Sequence, residues 1–361
     1  MRELASVPLA PLTSLRLGGH ADTLVEATSE DELVESVVGA SASSPVVVLG
    51  GGSNVVVADA GVRGRVVRVM TRGVVVKEQN ERDMLLEVQA GESWDALVER
   101  CTLEGWAGFE SMSGIPGMVG ATPIQNVGAY GYEVSTFVEG VKVLDRTTSL
   151  SSIMTQHACA FGYRDSAFKR ESGRYVVLSV LFRLARATES HVRYAELARA
   201  LGVAEHARAS LSDVREAVIA LRRKKGMVLD ERDLDTRSAG SFFTNAIVTR
   251  ETFASLVMRA RSLGMCSLAE ELPHFVHGER VKVPAAWLIE KSGFAKGYSQ
   301  GNVGISTKHS LALVNLGGTT ADLLRLAEDI VNKVNDVWGV VLEREPVLMG
   351  DFSSTSVSLL A

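Results

Sequence analysis

"PVVVLGGGSNVVVADAGVRGRVVRV" occupies residues 45–69. Two valine-rich runs enclose Gly50, Gly51, Gly52, Ser53 and Asn54. Glycine loses more conformational entropy on folding than any other residue, so three in succession between apolar runs require a reason. A dinucleotide fingerprint of the GxGxxG kind needs a helix straight after the glycines, because the helix N-terminus holds the pyrophosphate. Here Asn54 is followed by three valines, which favour a strand. Two readings remain: a strand–turn–strand whose successive N–H groups form an anion-binding nest, or a plain glycine-rich hairpin.

On either side, strands and helices alternate. Ser29 and Glu32 form a capping box that opens a helix through Leu33, Val37 and Val38. Strands are predicted at 46–49, 54–57, 65–70, 74–77, 84–89, 138–144 and 176–184. Ser93 caps a helix carrying Trp94, Leu97 and Val98 that ends before Gly105. Residues 185–209, rich in Ala and Arg, form the junction between two domains. Ser212 opens a helix with Val214, Val218 and Leu221 on one face. Further helices are expected at 249–263, at 285–291 behind Pro284, and after Thr319 or Thr320, where Leu323, Ile330, Val334 and Val337 share a face.

With 361 residues the chain has room for two or three domains. Hydrophobic residues at 46% and charged residues at 22% fit a soluble globular protein. No apolar stretch approaches the roughly 20 residues of a membrane helix, and the start, with Glu3 and no long apolar core, does not read as a signal peptide. A net charge of −5 disfavours nucleic acid as the main partner. Cys101, Cys159 and Cys266 are isolated and fit a reduced cytoplasm.

The motifs that carry chemistry each have a plainer alternative. Residues 111–131, "SMSGIPGMVGATPIQNVGAYG", combine five glycines and two prolines with apolar residues, and only Gln125 and Asn126 are strong hydrogen-bonding side chains. That suits backbone held rigid against a flat or phosphorylated ligand, or a long structural loop. In "FGYRDSAFK" (161–169), Arg164 suits a carboxylate, since a guanidinium grips one bidentately; the alternative is a surface turn with a solvated ion pair. In "SAGSFFTN" (238–245), Ser241 lies between glycine and two aromatics that can exclude water, though a turn serine is the commoner meaning. His274 and His277 lie near Glu270 and Glu271, but no third His or Cys sits at ligand spacing, so no metal is expected.

Together these pieces resemble the MurB family of UDP-N-acetylenolpyruvoylglucosamine reductases. "LTSLRLGG" (12–19), "VLGGGSN" (48–54), "GFESMSGIPGMVGATPIQNVGAYG" (108–131), "FGYRDSAFK" (161–169), "SAGSFFTN" (238–245), "PAAWLIEKSGFAKG" (284–297), "KHSLALVN" (308–315) and "LEREPVLMG" (342–350) stand in the family's order. "YRDS" and Tyr194 in "VRYAEL" are similar to its longer form. Ala246, where proline commonly follows the Asn, and Thr122, where a small apolar residue is usual, depart from the pattern.

The resemblance implies an α+β fold: an FAD-binding domain of the p-cresol methylhydroxylase type in two subdomains (12–186), a junction (187–211), a C-terminal substrate domain (212–350) and a frayed tail (351–361). It implies non-covalent FAD, cradled by Gly50, Gly51, Gly52, Ser53, Asn54, Ser113, Gly114, Ile115, Pro116, Gly117, Gly120, Gln125, Asn126, Gly128 and Ala129, with NADPH as reductant. It implies that Arg164 stabilises the enolate formed on hydride transfer to the enolpyruvyl group. Glu345, protonated or acting through water, assists, and Ser241 donates the final proton. Tyr163, Tyr194, Lys225 and Asn245 would hold the substrate, with Lys224 an alternative to Lys225. A monomeric cytoplasmic enzyme with small-molecule partners is expected. Two rivals stand beside this: an oxidase or dehydrogenase of the same flavin fold, and a non-catalytic nucleotide-sugar binding protein. Many such oxidases tether FAD through histidine, but His20 and His157 lie outside any attachment pattern. Residues 227–237 are either a lid or an insertion.

Overall fold

The computed structural model describes residues 1–39, 45–265 and 272–353. The chain forms two compact units. The first comprises Met1–Leu12, His20–Ser53 and Val62–Leu229; the second comprises Thr13–Gly19, Asn54–Gly61 and Asp230–Ala361.

Of the sheets in the first unit two are large, beside two short strand pairs. One runs in the order Arg2–Pro8, His20–Ala27, Val62–Val69, Val46–Leu49, the last three strands mutually parallel. The other is antiparallel, in the order Leu150–Thr155, Val138–Asp145, Tyr175–Arg186, Asp83–Gln89, Val74–Gln79. One apolar core joins them, with Val25, Leu33 and Val67 beside Met84, Trp94, Phe109 and Phe182. Phe109 lies against Trp94 and Phe182 at centroid distances of 4.8 and 5.0 Å, edge-to-face and tilted geometries that aromatic rings favour.

Most expected elements are present, with shifted ends. Ser29 does cap the Glu30–Val38 helix, accepting from Glu32 N, but the Glu32 carboxylate reaches back one residue further, to the N–H and hydroxyl of Thr28 at 2.8 Å. Ser93 occupies the N-cap of Trp94–Leu103 without a side-chain cap bond. Ser210, not Ser212, caps the Leu211–Lys224 helix. The stretch read as a junction is structured: strands Glu189–His191 and Arg208–Ser210 pair around the helix Ala195–Leu201. Val192, Leu197 and Ala198 pack on Val214 and Val218, so the Leu211–Lys224 helix is counted with the first unit and the cut falls after Leu229.

The second unit packs the amphipathic helix Thr320–Trp338 on two three-stranded sheets. Asp59, from the short N-terminal segment of this unit, accepts from Thr320 N and Ala321 N at 2.9 Å, a carboxylate placed on the positive end of the helix dipole. Val55–Val57 pairs in parallel with Val347–Met349. Of the expected tail, 354–361 lies outside the described residues. No helix is long and apolar enough to cross a membrane among the described residues.

Candidate active site

Gly51 of the opening stretch is required by another glycine. A Cβ on Gly51 would lie 2.8 Å from Gly117 Cα, and one on Gly117 would lie 2.7 Å from Ser53 Oγ. Ser53 Oγ donates to Pro116 O at 3.0 Å. The two glycine loops are therefore packed backbone to backbone. The second is anchored beneath: Trp94 N donates to Gly117 O at 3.1 Å, Val119 N to Glu92 O at 2.9 Å and Gly120 N to Ala90 O at 2.8 Å. Trp94 Nε1 donates to Met112 O at 3.1 Å. Within this arrangement Gly52, Ser113, Gly114, Gly120, Gln125 and Asn126 are buried and form the frame. Gly50, Gly51, Ser53, Ile115, Pro116, Gly117, Gly128 and Ala129 are half-buried, open enough to meet a ligand.

The loops of "PIQNVGAYG" and "FGYRDS" are knitted together in the same unit. Asn126 Nδ2 donates to Gly162 O at 2.9 Å, Ser166 Oγ to Ile124 O at 2.6 Å, and Arg164 to Asn126 O and Gly128 O at 3.3 and 3.0 Å. Arg164 also lies over the Tyr163 ring, 5.6 Å from its centroid. Asn126, Tyr130 and Arg164 all have left-handed backbone, with φ of 45°, 49° and 51°. Non-glycine residues seldom adopt it, and such strain gathers where surrounding contacts over-determine the backbone. Thr122, the departure from the family pattern, satisfies its buried hydroxyl on Val119 O at 2.8 Å.

Beside this lies a polar cluster. Tyr130 and Tyr194 meet edge to face at 5.6 Å, and Lys225 Nζ lies 5.9 Å from the Tyr130 centroid and 2.7 Å from Glu196 Oε2. Burial pushes the Tyr130 hydroxyl up to about 12, so it acts as a neutral hydrogen-bonding group. Lys224 is exposed; the fold brings Lys225, not Lys224, to the tyrosines. Arg222, one helical turn before, has a buried Nε with no hydrogen-bond partner among the described residues, as do Ser111 Oγ and Glu110 Oε1.

Ser241, Glu345, Asn54 and Asn245 belong to the second unit. Phe242 N donates to Leu311 O at 2.7 Å, Glu345 N to Phe242 O at 2.8 Å and Thr244 N to Glu343 O at 3.0 Å, so "SAGSFF" is held between "KHSLAL" and "LEREP". Ser241 and Glu345 are both half-buried. Val347 N donates to Asn54 O at 2.9 Å, which ties Asn54 to the Glu345 segment. Asn245 Oδ1 accepts from Ala285 N at 3.1 Å and so serves the start of the Ala285–Lys291 helix. Residues 230–237 are tied to the rest of their unit: Asp235 accepts from Thr307 N and Oγ1 at 2.8 and 2.6 Å, and Lys308 lies 2.5 Å from Asp233. His274 stacks on Phe253 at 4.6 Å; Glu270 and Glu271 lie outside the described residues.

Sequence reasoning missed Arg222, Arg215 and Asp95. The signal for Arg222 was present: it follows Val214 and Val218 at four-residue spacing, on the buried stripe of its helix.

The profile of the FAD binding domain matches residues 21–152, a span that contains both glycine loops. The first unit is thus that of a flavin-binding protein, and buried donors beside a close-packed double glycine loop fit such a group. The profile described as UDP-N-acetylenolpyruvoylglucosamine reductase, C-terminal domain, matches residues 232–349. The chain is 50% identical over 351 residues to the UDP-N-acetylenolpyruvoylglucosamine reductase of Thermobifida fusca (strain YX), covering 96% of this chain and 97% of that one. It is 42% identical to that of Mycobacterium marinum, covering 97% and 96%. The crystal structure of MurB from Thermus caldophilus shares the fold at a TM-score of 0.63 and 23% identity, covering 97% of this chain and 99% of that one. The chain belongs to the UDP-N-acetylenolpyruvoylglucosamine reductase family.

Proposed function

We propose that this chain uses NADPH to reduce UDP-N-acetylglucosamine enolpyruvate to UDP-N-acetylmuramate, a step in making peptidoglycan precursors. The observation that carries the reading is the main-chain bond from Glu345 N to Phe242 O. It joins the segments of the expected proton donor, Ser241, and of Glu345, which meet at the isolated antiparallel bridge of Phe243 with Arg344.

FAD, when bound, would supply the hydride chemistry between the nicotinamide and the enolpyruvyl double bond. The remaining steps fall to the protein. Gly50, Gly51, Ser53, Ile115, Pro116 and Gly117 would line the diphosphate of the cofactor with backbone donors, which a negatively charged protein needs locally. Arg164 offers a fixed positive charge for the substrate carboxylate, into which negative charge spreads as the double bond is reduced. Its guanidinium is oriented by the carbonyls of Asn126 and Gly128, so little reorganisation is left for the reaction. Glu345 assists in holding the enol. Ser241 Oγ then delivers a proton to the carbon next to the carboxylate. Serine is a weak acid, so this works only against a strongly basic, carbanion-like centre within reach. Tyr163, Tyr194 and Lys225 would hold the uridine diphosphate and sugar. Asn245 would join them. A monomer in the cytoplasm completes the proposal; Cys101 and Cys159 are free and buried, as a reducing compartment allows.

The test is an absorbance spectrum of the purified protein followed anaerobically. The 450 nm region should bleach with NADPH and recover on addition of the enolpyruvyl substrate (wavelength roughly that of oxidised flavin). Bleaching without recovery would assign a different oxidant, and a protein that takes up no flavin would end the proposal.

A further inference from the structure

We propose that Arg222 is an anion-holding residue, which takes a phosphate oxygen of a diphosphate-bearing ligand at the Gly114 turn. The inference rests on the flavoprotein reading and adds to it a residue that neither family motif nor sequence pattern assigned.

A guanidinium carries five N–H donors in a planar fork. Among the described residues Arg222 has one hydrogen-bond acceptor, Met227 O, 3.0 Å from Nη2. Its Nε is buried and unpartnered. No carboxylate within salt-bridge distance neutralises it among the described residues. The side chain as a whole is half-buried while its Nε is enclosed, and burial pulls its pKa below the ordinary arginine value. The charge is not stray, because its surroundings are built. Gly114, with φ of 70°, presents its α-carbon to Arg222: a Cβ there would lie 3.6 Å from Nε and 3.1 Å from Val228.

The turn is fixed by a clamp. Asp95, in the first turn of Trp94–Leu103, accepts from Gly114 N at 2.6 Å while Arg215 grips both its oxygens at 2.7 and 3.1 Å. Burial alone would raise the Asp95 carboxyl, but Arg215 and the Gly114 N–H outweigh it and leave the pKa lowered. Asp95 is therefore saturated by Arg215 and unavailable as a direct partner for Arg222. One cation neutralises the clamp, and the second, seven residues on along the same helix, is left for a ligand. Ser111 Oγ, buried and unpartnered in the turn that precedes Gly114, is a further donor in the same loop. Two sources share the chemistry: the diphosphate of FAD, and that of the uridine nucleotide.

The experiment compares wild type, Arg222→Met and Arg222→Lys. The full chain, freed of flavin, is titrated with FAD by fluorescence quenching; the flavin-loaded chain is titrated with UDP by calorimetry; and the flavin-free chain is melted with and without inorganic pyrophosphate. Arg222→Met should weaken binding of FAD or of UDP at least tenfold, with Arg222→Lys recovering part of it, and should abolish a pyrophosphate-induced rise in Tm. A loss confined to FAD assigns the cofactor's diphosphate; a loss confined to UDP assigns the substrate's. Removing this poorly satisfied charge should leave the flavin-free Tm unchanged or raised. The proposal is overturned if both affinities are unchanged, or if the flavin-free Arg222→Met protein melts lower while binding is unaltered, which is the behaviour of a packing residue. A wild-type chain that takes up no FAD counts against the flavoprotein reading instead, and UDP binding then still tests Arg222.

Discussion

The loop that carries Arg164 and the extended segment that carries Ser241 are built by opposite means. Around Arg164 the backbone is held by side chains: Asn126, Arg164 and Ser166 donate to carbonyls of the facing loop, and three non-glycine residues accept left-handed φ values. Each such residue costs on the order of 1–3 kcal/mol. Around Ser241 the backbone is held by backbone, through Leu311, Phe242 and Glu343 to Glu345, and the strained residue is a glycine, Gly240, with φ of 76°. In the first region the side chain proposed for the chemistry also holds the architecture, so the two cannot be changed separately. In the second they can.

The sharpest break of this comparison is Ser241→Ala. It should lower turnover by roughly 10²–10⁴ while leaving flavin binding, reduction by NADPH and Tm near wild type; near-normal product formation would remove Ser241 from its role. Arg164→Lys should do both kinds of harm. A point charge replaces a fork, so reoxidation of reduced flavin by substrate should slow by about 10²-fold. Two bonds to carbonyls are lost too, and Tm should fall by about 2–4 °C per kcal/mol. Stopped-flow traces and a melt of the same sample separate the two, and an unchanged Tm would contradict the shared role.

Gly51→Ala forces a Cβ against Gly117 and should destabilise by about 1–3 kcal/mol, with loss of bound flavin read from the ratio of absorbance at 450 nm (roughly the flavin band) to protein. Ser53→Ala removes one bond between the loops and should cost only about 1 kcal/mol, measured by urea unfolding; a cost as large as that of Gly51→Ala would mean the hydroxyl, not the close approach, joins them. The smallest effect concerns acid. The pKa values of Asp95 and Asp235 are lowered in the folded chain despite burial, by Arg215 and by Thr307 respectively. Their stabilisation is therefore present above the unfolded value near 3.9 and is lost as pH falls through and below it. Asp95→Asn should flatten the fall in Tm across that window, and an unchanged acid limb would show that the clamp contributes nothing there.

Local signals carried much of the fold. Ser29, Thr249 and Thr319 each accept from the third residue on, as their spacing predicts, because a helix cap is decided within four residues. Ser212 misled, since Ser210 two places earlier is an equally good acceptor and only the pairing of Arg208–Ser210 with Glu189–His191 decides between them. The site was legible as motifs but not as a mechanism of assembly. Nothing near Gly51 in the chain announces Gly117, and nothing near Arg164 announces the carbonyls of Asn126 and Gly128, because these contacts are made across long loops. The opening glycines illustrate the limit: they read as room for a ligand, and the structure uses that room first for a second loop.

The parallel pairing of Val55–Val57 with Val347–Met349 has a consequence for biosynthesis. The 55–57 strand completes its pairing only with the much later 347–349 strand, so the second unit cannot finish folding on the ribosome before that later segment has emerged. Closing so long a loop carries an entropic cost that rises only slowly with length, yet contacts so distant in sequence slow the search. Until then Val55, Val56 and Val57 form a short, apolar, unpaired edge, the kind of segment that nascent chains leave to chaperones.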